Sequence, residues 1–217
     1  MKNPIENYWN LKLESVKENL ENNNFEVFIA RNAKDAKEIA MNEIIPKLDI
    51  KSVSWGGSMS FVATGLFHEL KDNPDIKVLN TFDRKLSNEE MMDLRRQSLM
   101  VDLFITGTNA VTEAGHLVNL DMMGNRVAAI MWGPKTVLLV VGRNKITEDL
   151  EGAMIRIKNY AAPVNTMNLD KNTPCRKTGI CHDCSSPDRI CNYWTIIEKS
   201  FIKNRIKIIL VNEDLGF

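Results

Sequence analysis

Apolar residues near the start of the chain recur every three or four positions, which is the period of an amphipathic helix. The stripe consists of Trp9, Leu13, Val16 and Leu20. It predicts a helix over residues 5–21 that buries one face, and the polar residues 22–24 predict its end.

Short runs rich in β-branched and aromatic residues predict five strands. These runs are residues 25–29, 52–55, 76–79, 103–106 and 137–141. Helical patterns lie between them at residues 33–48, 58–70, 87–100 and 120–132, and Ser87 with Glu90 predicts a capping box. The alternation predicts an α/β fold with a mostly parallel sheet and helices on both faces, because each parallel pair needs a crossover.

The pattern changes in two later segments. Residues 110–119 are too short for a crossover and predict a small hairpin. A helix is predicted at residues 148–160, whereas residues 161–192 are polar, contain three prolines and show no period, which predicts an irregular cysteine-rich loop. Residues 193–198 and 205–211 predict strands. We therefore expect an α/β core in residues 1–160, a separate loop in residues 161–192, and a tail in residues 193–217 that rejoins the core.

Composition narrows the classes of function. The chain has 217 residues, with 28 Lys and Arg against 28 Asp and Glu, so no net charge favours binding to nucleic acid. Neither a signal peptide nor an apolar run of membrane-spanning length is visible. We expect a cytoplasmic protein that contacts neither nucleic acid nor membrane.

Small residues follow the first buried strand of the predicted sheet. Gly56, Gly57 and Ser58 come directly after Trp55 and open a helix, so backbone N–H groups there could face an anion. The alternative is a tight turn with Ser58 as a helix cap. The spacing matches neither the dinucleotide fingerprint nor a P-loop.

A second group of small and polar residues follows the strand at 103–106. Because strand ends of a parallel sheet gather ligands, we predict that this group binds a small polar or anionic ligand. Its members are Gly107, Thr108, Asn109, Gly115, Asn119, Asp121, Gly124, Asn125 and Arg126. Arg126 could clamp a carboxylate or phosphate, or pair with Asp121. Glu113 is a candidate nucleophile or base, the alternative being a solvated turn residue.

Two motifs within residues 54–145 resemble the LUD domain, named for the lactate utilisation proteins of bacteria. They are SWGGSMS and GTNAVTEAGHLVNLDMMGNRVAAIMWGPKTVLLVVGRNKI. The resemblance implies the fold shared by glucosamine-6-phosphate deaminase (NagB), ribose-5-phosphate isomerase (RpiA) and coenzyme A transferases. It also implies acyl or sugar-phosphate ligands at strand ends, and a link to lactate oxidation beside iron-sulfur subunits. Glu113-Ala114-Gly115 is similar to the Glu-x-Gly setting of coenzyme A transferases.

All four cysteines fall within one short segment. Cys175, Cys181, Cys184 and Cys191 are spaced C-x5-C-x2-C-x6-C. In a chain without an export signal this pattern favours a metal over disulfides, and four thiolates suit either zinc or an iron-sulfur cluster. Reduced thiols or a redox disulfide are the alternatives.

Four hypotheses follow for the whole chain, and the sequence leaves open whether the protein is an enzyme. The first is a LUD-family protein of small-molecule metabolism that binds a small anionic metabolite beside a metal site with four cysteines. The second is a noncatalytic iron-sulfur accessory or redox-sensing subunit that docks on an oxidoreductase. The third is a transferase-like or sugar-phosphate enzyme that uses Glu113, and a plain structural zinc protein is a further alternative. Self-association as a homo-oligomer is compatible with all of them.

Overall fold

The computed structural model describes residues 3–217. Its helices are α1 (Pro4–Asn22), α2 (Ala33–Ile39), α3 (Met59–Ala63), α4 (Leu66–Leu70), α5 (Asn88–Gln97), α6 (Asn125–Met131), α7 (Leu150–Arg156), α8 (Ala162–Asn168) and α9 (Pro174–Thr178). Its strands are β1 (Glu26–Ala30), β2 (Ser52–Trp55), β3 (Lys77–Leu79), β4 (Leu103–Thr106), β5 (Ala110–Thr112), β6 (Leu117–Asp121), β7 (Thr136–Gly142), β8 (Ile146–Thr147), β9 (Tyr193–Ile197) and β10 (Ile206–Val211).

The predicted parallel sheet is confirmed. Six strands lie in the order β1-β10-β7-β4-β2-β3, and every neighbouring pair is parallel. Strand β10 comes last in the chain but lies between β1 and β7, with Ile208 opposite Leu139. The tail therefore completes the middle of the sheet.

Helices cover both faces of this sheet, because alternate residues of its central strands point to opposite sides. On β7, Leu138 and Val140 pack into the core beneath α2, α3 and α4. Val137, Leu139 and Val141 pack into the core formed with α1, α6 and the smaller sheet. The stripe of α1 is confirmed, since Leu13, Val16 and Leu20 are buried in that second core.

The predicted hairpin is also confirmed, as part of a second sheet. Strands β5 and β6 pair antiparallel, and the four-stranded order is β8-β5-β6-β9. Gly115 has a φ of 79° at the turn, and a Cβ there would lie 2.8 Å from the backbone of Asn19 in α1. Only glycine fits this contact between turn and helix.

The helix predicted over residues 120–132 is wrong at its start. Leu120 and Asp121 belong to β6, where they pair with Trp194 and Tyr193 of β9. The Asp121 carboxylate accepts a hydrogen bond from the N–H of Gly124, whose φ is 87°, and α6 begins only after this turn. Strand pairing with a segment about 70 residues away overrides the local helical pattern.

Two further predictions of local structure need correction. The helix expected at residues 58–70 is divided into α3 and α4 by Gly65, whose φ is 74°. The segment 161–192 contains α8 and α9, although the sequence predicts no regular element there. Pro163 and Pro174 each lie in the first turn of their helix, where the missing proline N–H costs no hydrogen bond.

Among the described residues, no helix combines the length and the apolar character needed to cross a membrane.

Candidate functional site

A cavity of about 360 Å³ lies at the carboxyl ends of the parallel strands, where ligands of such sheets bind. Its walls come from the segments after β2, β3, β4 and β7, from the end of β6, and from α6 and α8. The predicted residues that line it are Gly56, Gly57, Ser58, Gly107, Thr108, Asn109, Asp121, Asn125 and Arg126. The structure thus brings together two motifs that are about 50 residues apart in sequence.

Close packing explains two of the glycines. A Cβ on Gly107 would lie 2.5 Å from Oγ of Ser58, and a Cβ on Gly56 would lie 2.9 Å from Cγ of Arg126. Gly57 differs, because a Cβ there would meet no atom within 4 Å. The first two glycines let the segments after β2 and β4 approach each other, whereas Gly57 leaves space open.

Ser58 caps the N-terminus of helix α3, which is the alternative role predicted for it from the sequence. Its Oγ accepts a hydrogen bond from the N–H of Phe61 at 3.2 Å, which begins α3. Helix α3 has only five residues, so its dipole contributes little to an anion site. An anion at this edge of the sheet would need other positive groups.

Arg126 joins the ends of two strands. Its guanidinium donates to Oδ1 of Asp121 at 2.9 Å, to Oδ1 of Asn119 at 2.7 Å and to O of Gly107 at 3.0 Å. Its Nη2 donates to Oδ1 of Asn109 at 2.9 Å. The pairing with Asp121 that the sequence left open is present, and it leaves few guanidinium N–H groups free for a ligand.

Lys145 is the residue of this cavity that the sequence analysis missed. It lies in the turn after β7, is 5% exposed, and its Nζ donates to O of Thr108 at 3.2 Å. Burial, together with the nearby charges of Arg156 and Arg126, lowers the pKa of this lysine to about 7. A signal was available, because Lys145 follows a buried apolar strand at its carboxyl end, where the other candidates lie.

Aromatic residues form the wall beside Gly56. Trp55 and Phe82 line the cavity and pack against each other and against Phe61 and Phe67. Nε1 of Trp55 is buried and has no hydrogen-bond partner among the described residues. This part of the cavity wall is therefore aromatic and largely apolar.

Three predicted ligand-binding residues lie outside the cavity wall. Asn119 is fully buried behind it, where its Oδ1 accepts from Arg126, from Thr108 and from the N–H of Asn109. Gly124 forms the turn before α6, and Gly115 forms the hairpin turn against α1. In the structure these residues contact the protein itself.

Glu113 also lies outside the cavity. It is at the turn of the hairpin, where its carboxylate pairs with the ammonium group of Lys12 of α1. Its backbone O accepts a hydrogen bond from Nδ2 of Asn19 at 2.8 Å. The structure therefore does not bring Glu113 together with the glycines and Arg126.

Residues 175–191, which contain all four cysteines and are called the cysteine segment below, form part of the cavity wall through Ile190 and Cys191. All four cysteines are unpaired, and Cys175 is buried with its Sγ 3.3 Å from Oγ1 of Thr173. Burial raises the pKa of the Cys191 thiol, and the nearby charge of Lys158 opposes this effect in part. In the chain from residue 3 onward, however, no three His, Cys, Asp or Glu side chains are arranged to hold a metal ion.

Two solved structures are similar to this chain, and the first of them matches nearly all of it. A DUF162 family protein from Deinococcus radiodurans superposes with a TM-score of 0.51 at 15% identity, over 94% of this chain and 98% of that one. Ribose 5 phosphate isomerase A from Neisseria gonorrhoeae gives a TM-score of 0.32 at 15% identity, over 56% of this chain and 57% of that one. No curated protein matches the sequence.

The family model of the LUD domain matches residues 13–211, which include both sheets, the cavity and the cysteine segment. The match confirms the resemblance inferred from the two sequence motifs. This chain belongs to the LUD-domain family.

Proposed function

We propose that this protein binds a small anionic metabolite in the cavity at the strand ends, as part of small-molecule metabolism. The observation that carries the proposal is the position of Lys145. Its ammonium group is buried beside Arg126 and Arg156, and no carboxylate in the described part of the chain lies within ion-pair distance of it. A buried cation without a counter-ion is unfavourable, so a bound anion would stabilise it.

The charges around the cavity favour an anion over a cation. The charged side chains that line it are Arg95, Arg126, Lys145 and Asp121. Asp121 is already neutralised by its ion pair with Arg126. The positive groups Arg95 and Lys145 are therefore left to attract a carboxylate or a phosphate.

The size of the cavity favours a small ligand. Its volume of about 360 Å³ is near the lower end of the range for small-molecule sites. Organic acids such as L-lactate and small phosphate esters suit this volume. A coenzyme A ester would place only its acyl end inside.

Ligand binding by the whole chain tests the proposal. We would measure binding of L-lactate, glycolate, glycerol 3-phosphate and acetyl-coenzyme A by calorimetry and by ligand-observed NMR. At least one of these anions should bind the wild-type protein. Lys145→Met should weaken its binding by about tenfold or more, since a charge-assisted hydrogen bond contributes roughly 1.5–3 kcal/mol. Gly57→Leu should also weaken binding, because its side chain would enter the open space next to the cavity.

Glu113→Gln is the matched control. Glu113 is paired with Lys12 outside the cavity, so the substitution should leave binding of the same anion unchanged. The proposal is wrong if none of the four anions binds, or if both cavity variants bind as the wild type does. Loss of binding in Glu113→Gln alone would favour the transferase-like hypothesis instead.

We further propose that the cysteine segment binds a metal through Cys175, Cys181, Cys184 and Cys191. The thiol side chains are not arranged as a metal site in this structure, so binding would require them to turn toward one another. Two observations support the proposal: the four thiols are unpaired, and residues 161–192 contain few buried apolar side chains. Metal binding commonly supplies the stability that such a segment lacks.

Elemental analysis of anaerobically purified protein tests this second proposal. Stoichiometric zinc in a colourless sample would support a structural zinc site, whereas iron with sulfide in a brown sample would support an iron-sulfur accessory or redox-sensing role. Cys184→Ser should lower the metal content and the stability together. A wild-type sample that contains no metal and does not bind added zinc would exclude the site.

A further inference from the structure

We infer that the side-chain amine of Lys145 is a nucleophile that forms an imine with a small aldehyde or ketone carrying an anionic group. The inference rests on the anion site proposed above and names the class of its substrate.

The amine has only one hydrogen-bond acceptor in the described part of the chain. Its Nζ donates to O of Thr108 at 3.2 Å, while the residue is 5% exposed and lines the cavity. No carboxylate among residues 3–217 accepts a hydrogen bond from the other N–H groups of this amine. An amine fixed by a single contact at a cavity wall can present its lone pair to a carbonyl carbon.

Other lysines of the chain are engaged differently. Lys12 pairs with Glu113, Lys207 pairs with Glu26, and Lys135 pairs with Asp102. Those carboxylates stabilise the protonated amine, and Asp102 raises the pKa of Lys135 accordingly. Lys145 instead has cations as neighbours, and its pKa is lowered to about 7. At neutral pH a large fraction of this amine is therefore the neutral, nucleophilic form.

The titratable and charged groups around Lys145 come from several elements. The charges that act on Lys145 are those of Arg156 of α7 and Arg126 of α6. The other titratable side chains of the same cavity are Asp121 of β6, Arg95 of α5 and Cys191 of the cysteine segment. Asp121 is bound to Arg126 and so cannot act as the counter-ion of Lys145. An anionic group on the substrate would supply that missing charge, and it would also stabilise the positive charge of a protonated imine.

The chemical step is balanced without any further reagent. The lone pair of the neutral amine forms a C–N bond to the carbonyl carbon, and the electron pair of the C=O bond moves to oxygen, which takes up a proton. The carbinolamine then loses water as the C=N bond forms. Amine and carbonyl compound thus give imine and water, with no change in oxidation state.

Reductive trapping on the full-length protein tests this inference. Glyoxylate and dihydroxyacetone phosphate serve as anionic carbonyl probes, each with sodium borohydride, followed by peptide mass mapping. We expect one stable adduct at Lys145, with a mass increase equal to that of the probe less one oxygen atom. Lys145→Arg keeps a positive charge but should abolish the adduct, and a circular dichroism spectrum would show that this variant is folded.

A second probe examines the amine apart from the anion site. Formaldehyde with cyanoborohydride carries no charge, and it should methylate Lys145 about tenfold or more faster than Lys135 at pH 7, because only the former amine is substantially neutral there. Labelling of Lys145 should rise through pH 7 and then level off. Binding of glycolate, which has no carbonyl group able to react, should weaken over the same pH range as the ammonium group is lost.

The outcomes separate this inference from the proposed function. If glycolate or glycerol 3-phosphate binds but neither carbonyl probe is trapped at Lys145, the anion site stands and the nucleophile is wrong. If no anion binds and neither carbonyl probe is trapped, both are wrong. Formaldehyde labelling of Lys145 no faster than that of Lys135 would overturn the inference whatever the ligand results are.

Discussion

Arg126 and Asp121 form a buried ion pair, in which Nε of the guanidinium donates to Oδ1 of the carboxylate at 2.9 Å. The two residues are five positions apart, one at the end of β6 and the other in the first turn of α6. The same guanidinium also bonds Gly107 and Asn109 after β4. The pair therefore holds the wall of the cavity together across three chain segments.

Asp121→Asn should destabilise the protein by about 3–5 kcal/mol, because removing one partner leaves the other charge buried and uncompensated. Urea denaturation followed by circular dichroism would measure the free energy of unfolding. Asp93→Asn is the control, since Asp93 and Arg96 form a pair on the surface of α5. Its cost should stay below about 1 kcal/mol. Equal costs for the two variants would contradict the structural role of the buried pair.

Gly107→Ala should destabilise the protein by about 1–3 kcal/mol, since its Cβ would lie 2.5 Å from Oγ of Ser58 and 3.1 Å from O of Val140. In a Ser58→Ala background part of this cost should disappear, and the double-mutant cycle would measure the difference. Gly57→Ala is the matched control. Its Cβ meets no atom within 4 Å, so the free energy of unfolding should change little.

Asp102 makes stability depend on pH in the acid range. The Lys135 ammonium group, together with the N–H of Lys51 and the hydroxyl of Ser52, holds the pKa of this carboxyl well below its ordinary value. Since the folded pKa is the lower one, the stabilisation is complete above about pH 5 and is lost as pH falls below about 4. Asp102→Asn should therefore destabilise the protein at pH 7 but much less at pH 2.

Chemical denaturation at several pH values would check this prediction. Asp72→Asn is the control, because its side chain is 81% exposed and its nearest ammonium group is 3.6 Å away. The stability difference between that variant and the wild type should be small at both pH values. The prediction is contradicted if Asp102→Asn lowers the free energy of unfolding by the same amount at pH 7 and at pH 2.

Lys145 should also make stability rise with pH, but from neutral to alkaline pH, because here burial disfavours the charged form of the group. Its folded pKa of about 7 lies below the ordinary lysine value of 10.5, so the unfolded chain holds one more proton between these two values. Stability therefore rises with pH across that window. Lys145→Met should be more stable relative to the wild type at pH 6 than at pH 9. Chemical denaturation without added anions would measure the free energy of unfolding of both proteins. If the stability of Lys145→Met relative to the wild type increased with rising pH, the lowered pKa of Lys145 would be contradicted.

Local patterns predicted most of the elements correctly. The stripe of Leu13, Val16 and Leu20, and the strand at residues 137–141, follow from periodicity alone because burial on one or both faces dictates where apolar residues lie. The start of α6 could not be found in this way. Leu120 and Asp121 fit a helical stripe, but they pair with β9 at the other end of the chain, which local sequence does not encode.

The candidate site was predicted only in part, because a residue's role depends on what it faces. Gly56, Gly57, Asn109 and Arg126 do line one cavity, as their positions after strands predict. Glu113 has equally suitable chemistry, yet the hairpin carries it to α1 and to Lys12. Lys145 was overlooked because its burial and its cationic neighbours arise only when β7, α6 and α7 meet.

The sequence by itself determined the α/β class, the parallel sheet, the LUD-domain family and the two glycine-rich strand ends, since each depends on residues that are close along the chain. The tertiary structure alone decided which charged side chains line the cavity and which are paired with other side chains elsewhere. Charge pairing and desolvation depend on distances between distant segments, and those distances exist only after the sheet has formed.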